Sequence, residues 1–262
     1  YRLPEAPPEP ITLTFTDANG EIIRSFTSRL PDDPPKAKER RVPAQVGWNR
    51  FVWDMRYAPV TKIEGTDPAA EKPIEGPIVK PGTYHVTLRA GSQELTQTFR
   101  IVVPGNVPAS QEDLDAQADL LLRIHRQLER TVQAINRMRD LRAQLDGWAK
   151  RAKSIEPETE IAKAASDLKE KVLEIEKTLL VPDLRPGWAD NLNQGVRLLE
   201  KLSSLIPVVQ LGDYRPTDAA EAVFNDLSAR IEEQLSRLDR LIAEDLAALN
   251  AQIRTADLDP IL

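Results

Sequence analysis

Residues 11–16 read ITLTFT, a strict alternation that sets Ile11, Leu13 and Phe15 on one side and three threonines on the other. Period two is the mark of a half-buried strand. The next residues, DANG, place an Asn-Gly pair before a second apolar run, EIIRSFT, which predicts a tight antiparallel hairpin. Farther on, PGTYHVTLRAGSQELTQTFRIVV sets Tyr84, Val86 and Leu88 opposite Leu95, Phe99 and Ile101 about a turn at residues 90–92. Between the hairpins lies GWNRFVWDMRY, residues 47–57, which as a strand would turn Phe51, Trp53 and Met55 inward and Arg50, Asp54 and Arg56 outward. Together these segments predict a small antiparallel β-sandwich over residues 1–107.

The period changes after the joint VVPGNVPASQEDL, where Pro104, Gly105 and Pro108 stop the strand. Ser110 is a candidate N-cap, with Asp113 three residues on as its capping-box partner. Leu114, Ala118, Leu121, Leu128, Val132, Ile135, Met138, Leu141, Leu145 and Trp148 then recur by threes and fours, the stripe of a long amphipathic helix. Similar stripes follow from Ile161 to Leu179, from Leu192 to Ile206, and, after a cap at Thr217, from Val223 to Ile253. At 1.5 Å per residue the first and last helices would each be roughly 55 to 65 Å long. The two middle pieces match that length only end to end. Residues 108–262 are therefore expected to form an antiparallel three-rod helical bundle whose middle helix is broken near residues 182–186 and whose two long helices are continuous. Residues 58–81 show neither period, and packing against a neighbouring surface and disorder remain equal alternatives for them.

Composition supports a boundary at the same joint. Fifteen of the 21 prolines and nine of the 13 aromatics lie at or before Pro108. The net charge of -6 and the pI near 5.2 argue against nucleic acid, whose binders carry a basic face. The one basic cluster, Lys36, Lys38, Arg40 and Arg41, is interrupted by Glu39 and reads as a solvated loop. Without cysteine there is no disulfide, thiolate ligand or thiol nucleophile. No apolar run reaches the length of a membrane span. The chain begins at Tyr1 without a methionine and reads as a piece of a longer protein.

Little else points to chemistry. His85 and His125 stand far apart in sequence without a ligand partner at metal spacing, and no cofactor or metal is expected. Asp17, Asn19 and Glu21 resemble the start of a calcium loop, but the hairpin turn accounts for them. Acidic pairs such as Glu232-Glu233 and Glu244-Asp245 read as helix surface. No catalytic residue can be named. The aromatic cluster reads first as core, leaving Trp48 and Tyr57 as the candidate binding residues.

The segments PITLTFTDANGEIIRSF, NRFVWDMRY and PGTYHVTL resemble the immunoglobulin-like module of the FlgD type, and the helical remainder is similar to the C-terminal region of bacterial β-propeller proteins with BNR or sortilin-type repeats. Such proteins are often labelled glycosyl hydrolases. The sialidase-type Asp-box SxDxGxTW is absent here, so no catalytic residue carries over. The resemblance implies an exported parent and a preceding propeller as the partner within the same chain, with self-association as a further expectation. The expected role is a non-catalytic accessory or docking region. The alternative is a carbohydrate- or peptide-binding module using the sandwich face, Trp48, Tyr57 and the 58–81 loop.

Overall fold

A computed structural model describes residues 1–29, 40–65, 73–155, 159–182 and 194–256. They divide into two compact units. Unit 1 holds Tyr1–Pro59, Glu75–Asp119 and Gly212–Arg215; unit 2 holds Val60–Ile74, Leu120–Leu211 and Pro216–Leu262.

Unit 1 is organised on one four-stranded antiparallel sheet. Its strands are β2 (Thr12–Asp17), β3 (Ile22–Thr27), β5 (Gly82–Ala90) and β6 (Gln93–Ile101), in the order β3-β2-β5-β6. The short strands β1 (Arg2–Leu3) and β4 (Gly47–Trp48) pair separately. Both hairpins follow their turn chemistry. The Asp17 carboxylate accepts the amides of Asn19 and Glu21, and Gly20 takes a positive φ of 83°. In the second hairpin Ala90 pairs with Gln93 across Gly91, whose φ is 57°. Alternation then sorts the faces. Leu13, Phe15 and Tyr84 are buried on one side, while Thr14 meets Ser25, Thr87 meets Thr96, and His85 Nδ1 meets Thr98 Oγ1 on the other.

The expected immunoglobulin-like sandwich does not form. A sandwich needs a second sheet, and the second layer over β2 and β3 is instead an irregular segment carrying Phe51 and Trp53. Local bonds explain why no ladder grows there. Met55 sits at a φ of 57°, the amide of Arg56 and the carboxylate of Asp54 close a turn, and Trp53 Nε1 donates to the Arg56 carbonyl at 3.1 Å. Met55 therefore points away from the core and is exposed, contrary to the alternation. The segment is held instead by side chains and isolated backbone bonds. Arg24 and Arg40 bracket Asp54, and Val79 donates its amide to the Met55 carbonyl.

Unit 2 is built on helices α1 (Gln111–Ile155, of which residues 120–155 belong here), α2 (Glu160–Leu179), α3 (Leu198–Ser203), α4 (Leu205–Val209), α5 (Asp218–Leu241) and α6 (Ala247–Thr255). One core joins them, with Leu128, Ile135, Ile175, Leu179, Leu202 and Ile231 fully buried. Caps sit where the side chains allow them. Thr159 Oγ1 accepts the Ala162 amide and Thr217 Oγ1 the Ala220 amide. In unit 1, Ser110 and Asp113 form the reciprocal box at the start of α1.

The expected three-rod bundle is corrected as well, although α1, the first of its two long helices, runs unbroken from Gln111 to Ile155. Between α2 and α5 the described helices are only six and five residues long, and α3 lies against both α2 and α5. Pro207 has no amide to donate to the carbonyl of Ser203, which separates α3 from α4. The last helix is not one α-rod either, because a π-helical turn at Ile242–Leu246 joins α5 to α6. Leu238, Ile242 and Leu246 are separated by two successive steps of four, which in a pure α-helix would carry the stripe about 80° off its line; the wider turn takes up the excess. The break expected near residues 182–186 lies, beyond Pro182, outside the described residues.

Residues 60–65 and 73–74 lie along α1 as an ordered strap within unit 2. Val60 is buried in the helical core, Thr61 donates both its amide and its hydroxyl to Glu129, and Asn136 bonds Glu64 and Lys62. These described parts of the 58–81 segment are packed.

Candidate functional site

The aromatic layer covers only half of the sheet in unit 1. Trp53 stacks on Phe15 at 4.3 Å and meets Tyr84 and Phe99 edge-on, while Phe51 packs on Phe26 at 4.8 Å. Toward the Gly91 turn this cover ends. Val86 and Leu88 are only half-buried, Leu95 is 68% exposed, and an apolar pocket of about 540 Å³ opens between them, Phe51 and Tyr1. Asn49 and Arg50 supply its polar rim. Asn49 is fixed from three sides, accepting the Gln45 amide and donating to the carbonyls of Gln45 and Gly47. Burial raises the Tyr1 phenol to about 12, so the ring lines the pocket as a neutral group and donates to the Pro43 carbonyl.

The two candidate binding residues have different surroundings. Trp48 pairs through its backbone with Arg2 and leaves its indole 82% exposed. Tyr57 is half-buried beside Ile23, Val79 and Tyr84, and its amide donates to the Pro77 carbonyl. Neither lines the open pocket, although Trp48 immediately precedes Asn49, which does.

A second cleft, of about 510 Å³, lies in unit 2 among Glu64, Arg139, Arg142, Asp146, Lys169 and Glu176. Glu176 is fully buried and holds two guanidinium groups, Arg139 at 2.8 Å on one oxygen and Arg142 on the other. Arg139 also donates to the carbonyls of Glu64 and Pro182. Hydrogen bonds from Lys150 and then Lys169 hold Asp146 far below the ordinary carboxylate range, at about 2. The most buried carboxylate here already has two cationic partners, and so does Asp146. The arrangement ties α1 to α2 and leaves neither group poised as a base.

A third depression borders the π turn, where Lys171, Arg237 and Arg240 alternate with Glu174, Glu244 and Asp245. Lys171 and Asp245 are joined at 2.5 Å, and that bond raises the lysine above its usual value. Charges of both signs are interleaved, with no single-sign field for an ionic ligand.

His85 lies on the polar face of the sheet and His125 on α1 in unit 2. The Asp17 carboxylate is engaged by its own turn. Among the described residues no group of His, Cys, Asp and Glu is placed to hold a metal ion, and no helix is long and apolar enough to cross a membrane. The sequence pattern alone did not single out the open pocket or Glu176. The second had a signal: Glu176 sits between Val172 and Leu179 at stripe spacing, a charge on an otherwise apolar face. Comparisons with protein families, with curated proteins and with solved structures found no match.

Proposed function

We propose that this chain is a non-catalytic accessory region that docks a protein surface on unit 1, as part of a larger exported protein whose preceding part is a β-propeller. The observation that carries the docking role is the half-covered sheet. Its aromatic layer stops short of Val86, Leu88 and Leu95, and Trp48 stands 82% exposed next to the polar rim. An apolar recess, with an exposed tryptophan next in sequence to one of its rim residues, has the chemistry of a protein interface, where Trp, Tyr and Arg supply most of the anchors. The propeller and the export rest on the motif resemblance alone. Trp48 also favours the second reading, a carbohydrate or peptide ligand. Residues 61–64 of the 58–81 loop, which that reading needs as a grip, are engaged with Glu129 and Asn136.

The test is iodide quenching of Trp48, taken as the difference between the chain and its Trp48→Phe variant, with and without the preceding part of the parent. Docking predicts that Trp48 becomes shielded when that part is present. Unchanged accessibility overturns the docking role. Turnover of aryl glycosides that disappears on mutating a single carboxylate overturns the non-catalytic one.

A further inference from the structure

The outer edge of β6 has the chemistry of its own partner. Among the described residues no strand pairs with that edge, although β6 is nine residues long and carries neither proline nor lysine. Natural sheets usually blunt such an edge with those residues, a bulge or a covering loop. The opposite edge, β3, is treated differently: the Val42 amide bonds the Thr27 carbonyl, and the Asp54 segment lies against Arg24.

The register states which backbone groups are free. The two-residue turn makes Ala90 and Gln93 the closing hydrogen-bonded pair, so by alternation Gln93, Leu95, Gln97, Phe99 and Ile101 bond β5. Glu94, Thr96, Thr98 and Arg100 present their amides and carbonyls outward. If β6 is laid antiparallel to a second β6 about an axis at Gln97, Glu94 falls opposite Arg100, Leu95 opposite Phe99 and Thr96 opposite Thr98. These three pairs are matched, opposite charges, apolar with apolar and hydroxyl with hydroxyl, and only the end pair, Gln93 with Ile101, is not. The outward backbone groups fall in register as well, giving about eight hydrogen bonds across the axis.

We propose that the chain forms a two-fold dimer through β6–β6 pairing centred on Gln97, which joins the two four-stranded sheets into one of eight strands. An isologous interface requires a self-complementary patch, and QELTQTFRI is one. Arg100 has no ion-pair partner among the described residues, while Glu94 pairs with Arg89 at 2.8 Å and keeps an oxygen for a second cation. The exposed Leu95 gains cover from Phe99 of the second copy in a non-hydrogen-bonded pair, where side chains lie closest. The proposal concerns the sheet edge and does not rest on the docking reading, whose Trp48 test stays separate.

Sedimentation of the 262-residue chain over a range of concentrations tests it. The expected result is a reversible monomer–dimer equilibrium. Arg100→Glu leaves the Arg89–Glu94 pair intact, sets like charges opposite each other twice, and should weaken the dimer about tenfold. Glu94→Arg should weaken it similarly, and the double exchange should restore it. Thr96→Pro removes an outward amide that β5 does not use and one exposed hydroxyl bond to Thr87; it should leave the monomer folded by circular dichroism and abolish the dimer. A wild-type chain that stays monomeric throughout overturns the proposal. So does a dimer untouched by Arg100→Glu and Thr96→Pro, or a double exchange that stays folded by circular dichroism yet remains monomeric.

Discussion

The indole of Trp53 lies parallel to the ring of Phe15, 4.3 Å between centroids and 21° between planes. This stack, together with the Trp53 Nε1 bond to the Arg56 carbonyl, stands in for the second sheet that the alternation of residues 47–57 predicts. Trp48 has no comparable role in the unit. Trp53→Ala should therefore cost about 3 to 5 kcal/mol and Trp48→Ala within about 0.5 kcal/mol. Thermal melts of the two variants check this; equal, small losses would mean that the layer is not structural.

Glu176 is the second test of the packing. It is wholly buried on α2 and answers two arginines of α1. Replacing it with alanine leaves two largely buried guanidinium groups at the cleft without their counter-charge, and the expected loss is about 3 kcal/mol, the lower end for breaking a buried pair because the cleft admits some solvent. Arg142→Ala removes only one of the two partners and should cost less. Urea unfolding with an unchanged slope would establish the order.

The sequence made some of these elements readable and hid others for physical reasons. Both hairpins were legible because Gly20 and Gly91 supply the positive φ their turns need. The α1 start was legible from Ser110 and Asp113, and the α2 stripe from Ala165, Leu168, Val172 and Ile175. The fate of residues 49–55 was not, because a left-handed backbone at a methionine has no signature in the residue pattern. Two four-residue steps about Ile242 did carry the π turn, but periodicity of threes and fours is equally consistent with an α-helix. The open pocket was invisible because alternation says which face of a strand is apolar and says nothing of how much of it is covered.

The strap over α1 should respond to acid. Burial, the largest influence on Glu129, pushes its carboxyl upward, but the bonds from the Thr61 hydroxyl and amide and from Gln133 together bring it below its usual value. A carboxyl whose folded value is lowered stabilises fully above its unfolded value and loses that contribution as pH falls through the folded one. Amide exchange at residues 60–64 should therefore be slowest, relative to the unfolded chain, above the ordinary carboxylate range, and protection should fall below it. Glu129→Gln should remove most of that pH dependence. Protection that stays flat with pH in the wild type would contradict the assignment.

Gly76 is the sharpest steric test in unit 1. A Cβ there would run into the carbonyls of Tyr57 and Ala58, so the position accepts only glycine for reasons of space. The close approach serves three bonds: Arg56 Nη1 donates to the Gly76 carbonyl at 2.9 Å, the Tyr57 amide to the Pro77 carbonyl, and the Val79 amide to the Met55 carbonyl. These bonds anchor the end of the aromatic segment, with Arg56 and Ile78 bridged between them. Gly76→Ala should push the two strands of chain apart and cost about 3 kcal/mol, the upper end for overpacking a tight site. The cost should come with loosening of Trp53, because the carbonyl its indole nitrogen bonds belongs to Arg56. A red-shifted tryptophan emission in the folded Gly76→Ala variant, absent from a Gly105→Ala control where a Cβ meets open space, is the expected outcome. Emission and melting transition both unchanged would show that the Arg56–Gly76 crossing does not hold the aromatic layer in place.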